Sequence, residues 1–259
     1  MATVRRVVAP NPGPFTGPGT NTWILGDAPA AIVIDPGPDD DAHLEAVARR
    51  LGDIAVGVVL LTHGHADHAA GAARFARAHG ARLLRHPELA DGDAVHCGGV
   101  SLTAVHTPGH APDHVSLWMP EDRVLFCGDL VLGRGSSMVS YPEGDVAAYL
   151  RSLDRVAELG PRMLFPGHWD PVADAMAKIA EYRAHRLERE AMVVAELAAG
   201  GPVTAVELTR RVYRAELEAG PPELERGAEA TLRAHLRKLV DEGRARVDGG
   251  DGEGVYRAS

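Results

Sequence analysis

Short apolar runs broken by polar turns fill the first third of the chain. "TNTWILG" and "AAIVIDPG" are β-rich and separated by "DAPA", a pattern that predicts a hairpin. "DDDAHLEAVARRLG" places Leu44, Val47 and Leu51 on one helical face. Acidic residues stand at its start and Gly52 at its end, so it reads as a helix. "VGVVLLT" is continuously apolar, as suits a strand buried on both faces. An Ala-rich stretch from Ala69 to His79, stopped by Gly80, predicts a further helix.

"ARLLRH" and "VSLTAVHTPGH" read as strands, and "HVSLWMPEDRVLFCGD" as two strands joined at "PED". "GDVAAYLRSLDRVAELG" is a helix with Asp145 as its N-cap, and "RMLFPGH" a short strand. Two sheets with helices packed outside would bury all of these faces. Beyond His168 the pattern becomes helical to about Ala199. A separate unit follows "AAGGP". It comprises "TAVELTRRVY" with a Thr204/Glu207 capping box, a helix in "ERGAEATLRAHLRKLVDEG", and a Gly-tipped hairpin in "RARVDGGDGEGVYRAS". Helix, helix and hairpin outline a winged helix. The expected organisation is an α/β domain over 1–184 and a helical linker with a small α+β winged-helix-like domain over 185–259.

Composition narrows the classes. At 259 residues and 45% hydrophobic content the chain can bury a sizeable core. A net charge of -9 argues against a nucleic-acid coat. In the tail, 12 Lys and Arg stand against 14 Asp and Glu, so DNA binding is not expected there despite the stripe Arg233, Arg237, Lys238, Arg244 and Arg246. Covering a cleft or making homodimer contacts fits the tail better. Two cysteines, Cys97 and Cys127, imply no disulfide framework. The first residues hold no run resembling a signal peptide, and nothing approaches the ~18 apolar residues of a membrane span. A cytoplasmic, membrane-free protein is the expectation.

The chemistry concentrates in "LLTHGHADHAAGAARF", residues 60–75. His63 and His65 have strand spacing and can face one ion. Asp67 and His68 open the next helix and can face a second. Further donors follow strands elsewhere: His110 in "TPGH", Asp129 in "VLFCGD" and His168 in "FPGH", each directly after a glycine. Cys127 would share a strand face with Asp129 but reads as a small buried apolar residue. Asp35 in "IDPG" is expected to hydrogen-bond the histidine loop, with a plain turn aspartate as the alternative. His114 is expected to orient a ligand or loop. His43, His79, His86, His96, His106 and His235 lack motif context.

HxHxDH followed by a separate His, Asp and His resembles the metallo-β-lactamase superfamily over residues 20–170. "TPGHAPDHVSL", "YRAHRLERE" and the tail look most like its β-lactamase-like group, which includes a mitochondrial endoribonuclease and fungal polyketide thioesterases. Glyoxalase II shares the ligand pattern without this tail. Zinc β-lactamases usually carry cysteine where Asp129 stands. The resemblance implies an αββα sandwich and two divalent metals, zinc foremost and iron or manganese as alternatives. It implies His63, His65 and His110 on the first metal, Asp67, His68 and His168 on the second, and Asp129 as a bridge. A shared water would then be deprotonated at neutral pH, with Asp67 and Asp129 as the catalytic carboxylates. Proton delivery by a metal-bound water or by Asp67 stays open.

The expected function is metal-dependent hydrolysis of a thioester or other activated acyl bond in a small molecule. Single-stranded RNA cleavage is the competing substrate class, and an iron-dependent redox reaction on a persulfide the competing chemistry. Ser136, Ser137 and Tyr141 in "GRGSSMVSYPEGD" are candidates for lining the pocket, against a merely structural loop. Tyr182 and His185 in "YRAHRLERE" are candidate substrate contacts, against a junction between the two units. Trp169 departs from the group, where a small residue usually follows the last histidine.

Overall fold

A computed structural model describes residues 3–220, 224–249 and 254–259. In chain order the elements begin with β1 (Val4–Val8), β2 (Asn21–Leu25), β3 (Ala30–Ile34), α1 (Asp41–Leu51) and β4 (Ala55–Leu60). Next come α2 (Ala66–Ala69), α3 (Ala72–His79), β5 (Arg82–Leu84), β6 (Ala94–Cys97), β7 (Val100–His106), β8 (Val115–Met119) and β9 (Val124–Gly128). The chain continues through α4 (Val146–Glu158), β10 (Met163–Pro166), α5 (Ala175–Ala199), β11 (Val203–Thr204), α6 (Ala205–Val212) and α7 (Arg214–Ala219). It ends with α8 (Leu224–Asp241), β12 (Ala245–Asp248) and β13 (Val255–Ala258).

Two compact units result. The first comprises Met1–Pro108, Asp113–Ser137 and Ser152–Ile179, and the second Gly109–Pro112, Met138–Arg151 and Ala180–Ser259. The sequence pattern predicts one cut after residue 184. The units are instead discontinuous, because packing joins segments distant along the chain. Helices α4 and α5 each pass from one unit into the other.

The first unit holds two five-stranded sheets, ordered β1-β2-β3-β4-β5 and β10-β9-β8-β7-β6. Strand alternation explains the layers. Trp23 and Leu25 of β2, with Val58 and Leu60 of β4, join Leu102, Leu117, Phe126 and Phe165 in one core between the sheets. The intervening Ile24 and Val59 turn the other way and pack with Leu44 and Val47 of α1 and Phe75 of α3. Trp23 meets Phe165 edge-on with ring centres 4.9 Å apart, a contact worth about 1 kcal/mol beyond its burial. Strand β1 is not evident in the sequence. "VRRVV" interrupts its apolar pattern with two arginines, and it lies at a sheet edge where charge is tolerated.

The helix stops follow the predicted signals. Asp40 caps α1 through its side chain and Gly52 ends it with φ of 63°. Asp145 accepts from the Ala148 N–H at 2.8 Å at the start of α4.

In the second unit β11, β13 and β12 form a three-stranded sheet. Val193 and Leu197 of α5, Leu208 and Val212 of α6, and Leu232, Leu236 and Leu239 of α8 make its core. Thr204 and Glu207 form the capping box of α6. The Gly-rich hairpin tip falls partly outside the described residues. The stretch "YRAHRLERE" lies within α5. Its Arg189 donates to the Val212 carbonyl at 3.0 Å and stacks on Tyr213, 4.1 Å from the ring centre.

His235 on α8 is fully buried, and neither ring nitrogen makes a hydrogen bond. Burial, then the charges of Arg186, Lys238 and Arg189, push its imidazole down to about 3. The folded state keeps it neutral while the unfolded chain protonates near 6.5, so stability falls as pH drops below about 6.5. From pH 7 to pH 5 this linkage removes about 2 kcal/mol. Urea unfolding of His235→Leu at both pH values is expected to show a smaller acid loss than the parent protein, by about that amount.

Candidate metal centre

The histidine segment follows β4, whose last residues are fixed on both faces. The chain leaves the strand at Leu61, and α2 then presents Asp67 and His68 one turn after His63 and His65. Asp129 stands directly after β9 and His168 two residues after β10, neighbouring parallel strands of the second sheet. Strand ends thus supply donors from separate places in the first unit.

Within that unit the donors converge. His63, His68 and Asp129 form one group whose donor atoms all lie within 4.8 Å, and Asp67, His68 and His168 form another. His68 Nε2 lies 3.3 Å from an Asp67 oxygen and 3.5 Å from an Asp129 oxygen. His168 Nε2 lies 3.4 Å from Asp67 and 3.4 Å from the other Asp129 oxygen. His63 Nε2 faces His65 Nδ1 at 3.0 Å. Most of these separations exceed a good hydrogen bond, as expected of atoms gathered about common points.

Neighbours fix the ring orientations. Asp35 is almost completely buried, with φ of 49°. Its carboxylate accepts from the Thr62 N–H at 2.8 Å, the Thr62 hydroxyl at 2.7 Å and His68 Nδ1 at 2.9 Å. With its proton given to Asp35, the Thr62 oxygen accepts from His63 Nδ1 at 3.0 Å. Both rings therefore present Nε2 as the lone-pair nitrogen. His168 Nδ1 donates to the Gly19 carbonyl at 3.2 Å, with the same result. His114 uses both nitrogens in support: Nε2 accepts from the Asp129 N–H at 3.2 Å and Nδ1 meets the Thr107 hydroxyl at 2.8 Å.

Two glycines are required by space. A Cβ on Gly167 would lie 2.4 Å from an Asp129 oxygen and 2.6 Å from the His68 ring. Gly128, with φ of 45°, would meet His114 Nε2 at 2.7 Å.

A divalent cation fits this cluster. The buried Nε2 of His68 makes no hydrogen bond, a costly state for a polar atom that coordination would relieve. Burial alone would lower the His68 imidazole, yet Asp129, Asp35 and Asp67 outweigh it and hold it up at about 10. His168 is raised in the same way: burial opposes protonation, and Asp129 overcomes it. The cluster thus attracts positive charge strongly. Imidazole and carboxylate donors suit zinc, iron and manganese alike.

His110 belongs to the second unit, where its Nδ1 donates to the Met138 carbonyl at 2.6 Å. Ser136 is exposed in the first unit, and the buried Ser137 donates its hydroxyl to the Asp129 carbonyl. Tyr141, Tyr182 and His185 lie in the second unit, with Tyr182 buried and His185 half-buried. Burial, then Arg186 and Arg189, lower the His185 imidazole. Cys127 is buried and bonded to the Val131 carbonyl at 3.1 Å, its thiol pushed up by burial to about 12. Trp169 adopts φ of 65°. A Cβ on Gly17 would lie 2.4 Å from the Trp169 ring, so that glycine leaves the indole room.

Thr62, Thr107, Thr20 and Asn11 were missed by sequence reasoning. Thr20 donates to Asp67 at 2.9 Å and accepts from Asn11 at 3.0 Å. A signal existed for two of them: Thr62 directly precedes the histidine cluster and Thr107 directly precedes "PGH".

Comparison with known proteins agrees with this architecture. Residues 15–91 and 89–168 match the Metallo-beta-lactamase superfamily, and 204–253 match the Beta-lactamase associated winged helix domain. A "Beta-lactamase-like protein 2 homolog" from Caenorhabditis elegans is 31% identical over 81% of this chain and 76% of its own. An "Atrochrysone carboxyl ACP thioesterase" from Aspergillus chevalieri is 33% identical over 81% of this chain and 73% of its own. The crystal structure of a metallo-beta-lactamase family protein from Thermus thermophilus superposes with a TM-score of 0.83 at 26% identity, covering 99% of this chain and 98% of that one. The chain therefore belongs to the metallo-beta-lactamase superfamily and carries its fold with a C-terminal winged helix.

Replacing Asp35 with Asn removes a full acceptor from Thr62 or His68 and loosens both rings. Asp35→Asn is expected to weaken zinc binding by about 10- to 100-fold, read by competition with a chelator, with the circular dichroism of the parent retained.

Proposed function

We propose that this superfamily hydrolase is a dinuclear enzyme that cleaves a thioester or other activated acyl bond in a small molecule. The observation that carries the reading is the convergence of His68 and His168 on Asp67 and Asp129, whose carboxylates each face both imidazoles. In the proposed assignment Asp67, His68 and His168 would hold one metal, His63, His65 and His110 would hold the other, and Asp129 would serve both. Zinc is the metal proposed, and the same donors would accept iron or manganese.

When bound, such a metal pair supplies Lewis acidity and a water activated at neutral pH. The protein does the rest. Asp35 and the Gly19 carbonyl fix the tautomers of His68 and His168, so both rings turn Nε2 toward the carboxylates. Gly167 and Gly128 keep side chains out of the space between the donors. Asp67 is the more exposed of the two central carboxylates, with 28% of its side chain accessible against 12% for Asp129. It is thus the better placed to hand a proton to a leaving group. Hydrolysis adds water across the acyl carbon, breaks the carbon–sulfur bond, and leaves a carboxylic acid and a thiol.

Two observations favour an acyl substrate over RNA. A relative sharing a third of the aligned residues carries the name of a carrier-protein thioesterase. In addition, four of the five residues of the basic stripe are engaged by the protein's own groups: Lys238 and Arg244 pair with Glu190 and Glu242, Arg233 with Glu229, and Arg237 binds backbone carbonyls. Phosphate recognition needs such charges free to meet the backbone. Among the described residues no helix is long and apolar enough to cross a membrane.

Zinc-loaded protein is expected to release thiol from short acyl-coenzyme A and acyl-N-acetylcysteamine thioesters. His68→Ala and Asp129→Ala should lose at least 100-fold in kcat/KM, about 3 kcal/mol of transition-state stabilisation. Cleavage of labelled single-stranded RNA by protein that leaves every thioester intact would overturn the acyl reading. Metal analysis of the same preparation gives the number and kind of ions.

A further inference from the structure

One of the proposed ligands, His110, belongs to the second unit, and the contacts that hold it there lead to a residue 127 positions further along the chain. The Nδ1–H of His110 donates to the Met138 carbonyl at 2.6 Å. That bond sets both the tautomer and the direction of Nε2. Met138 begins the segment Met138–Arg151 of the same unit. Farther along it, the Asp145 N–H donates to the Gly109 carbonyl at 2.8 Å, one residue before His110. The loop 138–145 thus holds the His110 ring directly and its neighbour Gly109 by the backbone.

The loop is tied in turn to α8. The Tyr141 N–H donates to the Ala230 carbonyl at 3.0 Å. The Arg237 guanidinium donates to the Pro142 carbonyl at 3.0 Å and to the Gly144 carbonyl at 2.6 Å. It also lies 5.7 Å from the centre of the Tyr141 ring and 3.7 Å from the Asp145 carboxylate. A planar fork can reach two carbonyls at once, which the single nitrogen of a lysine cannot do with the same geometry. One side chain of the winged helix therefore contacts Tyr141, Pro142, Gly144 and Asp145, four of the eight residues of that loop.

We propose that Arg237 is a positioning residue for His110. It fixes the loop 138–145 and, through the Met138 carbonyl and the Asp145 N–H, fixes the His110 ring. The inference rests on the proposed role of His110 as a ligand. It assigns Arg237 a task inside the enzyme rather than on a nucleic-acid surface.

Zinc titration of metal-free protein against a competing chelator tests it, with fold checked by circular dichroism. His110→Ala is expected to lose one of two binding steps. Arg237→Met should keep both steps, weaken the His110-dependent one about tenfold, and leave the other unchanged. Arg237→Lys should recover part of that affinity. Arg257→Met, which removes the Asp248 pair on the hairpin, should titrate like the parent. If His110→Ala loses a step while Arg237→Met and Arg237→Lys match the parent, the positioning role is wrong and the ligand reading stands. If His110→Ala matches the parent, the ligand reading fails and the inference falls with it. Equal weakening of both steps in Arg237→Met would also overturn it, since that marks general loosening. Should Arg237→Met fail to fold, Arg237→Lys decides alone: parent-like binding overturns the proposal, and selective weakening supports it.

Discussion

A buried carboxylate governs the geometry of the histidine–aspartate cluster. Asp35 has almost no contact with solvent, and its charge must be met from within the protein. It is met by Thr62 and His68, the residues that bracket the histidine segment. Once those bonds form, the path from β4 into α2 has little freedom left, and His63 is oriented through the same threonine. The backbone of Asp35 adopts the left-handed region that non-glycine residues seldom visit. The cost of that conformation and of burying the charge is offset by three hydrogen bonds, all of them from the segment that the site requires.

Much of this was legible in the sequence, for identifiable reasons. HxHxDH works through spacing alone, because two residues apart on an extended chain and adjacent residues on a helix turn are local geometry. Glycines directly before Asp129 and His168 marked two members of the cluster in the same local way. The threonines were hidden because a hydroxyl at a strand end looks ordinary until its partner is known. Thr20 meets Asp67 across 47 positions of sequence, a relation that no periodicity records. Strand β1 was hidden for a different reason: its arginines are tolerated at an edge, so the apolar alternation that marks inner strands was never required.

The arginines and histidines of α5 and α8 show the limit of reading charge as function. Arg233, Arg237, Lys238 and Arg244 look like a basic stripe in one dimension. In three they face Glu229, Glu190, Glu242 and backbone carbonyls. Arg189 is spent on Val212 and Tyr213, holding α5 to the α6 region within the second unit. Net charge over the tail hinted at this balance, since acids slightly outnumber bases, but it could not say which base meets which acid.

The discontinuity of the two units bears on how such a protein could be inherited or rearranged. The winged helix is not a cassette appended to a finished enzyme, because Gly109–Pro112 and Met138–Arg151 are packed with it. A recombination event cutting once between the two halves would separate those segments from α8, and would leave His110 and its loop with a stranger. Gene fusion can add a contiguous module in one step. A unit woven through three stretches of chain cannot arrive in one such step, so the residues of the loops and of the tail must stay compatible with one another.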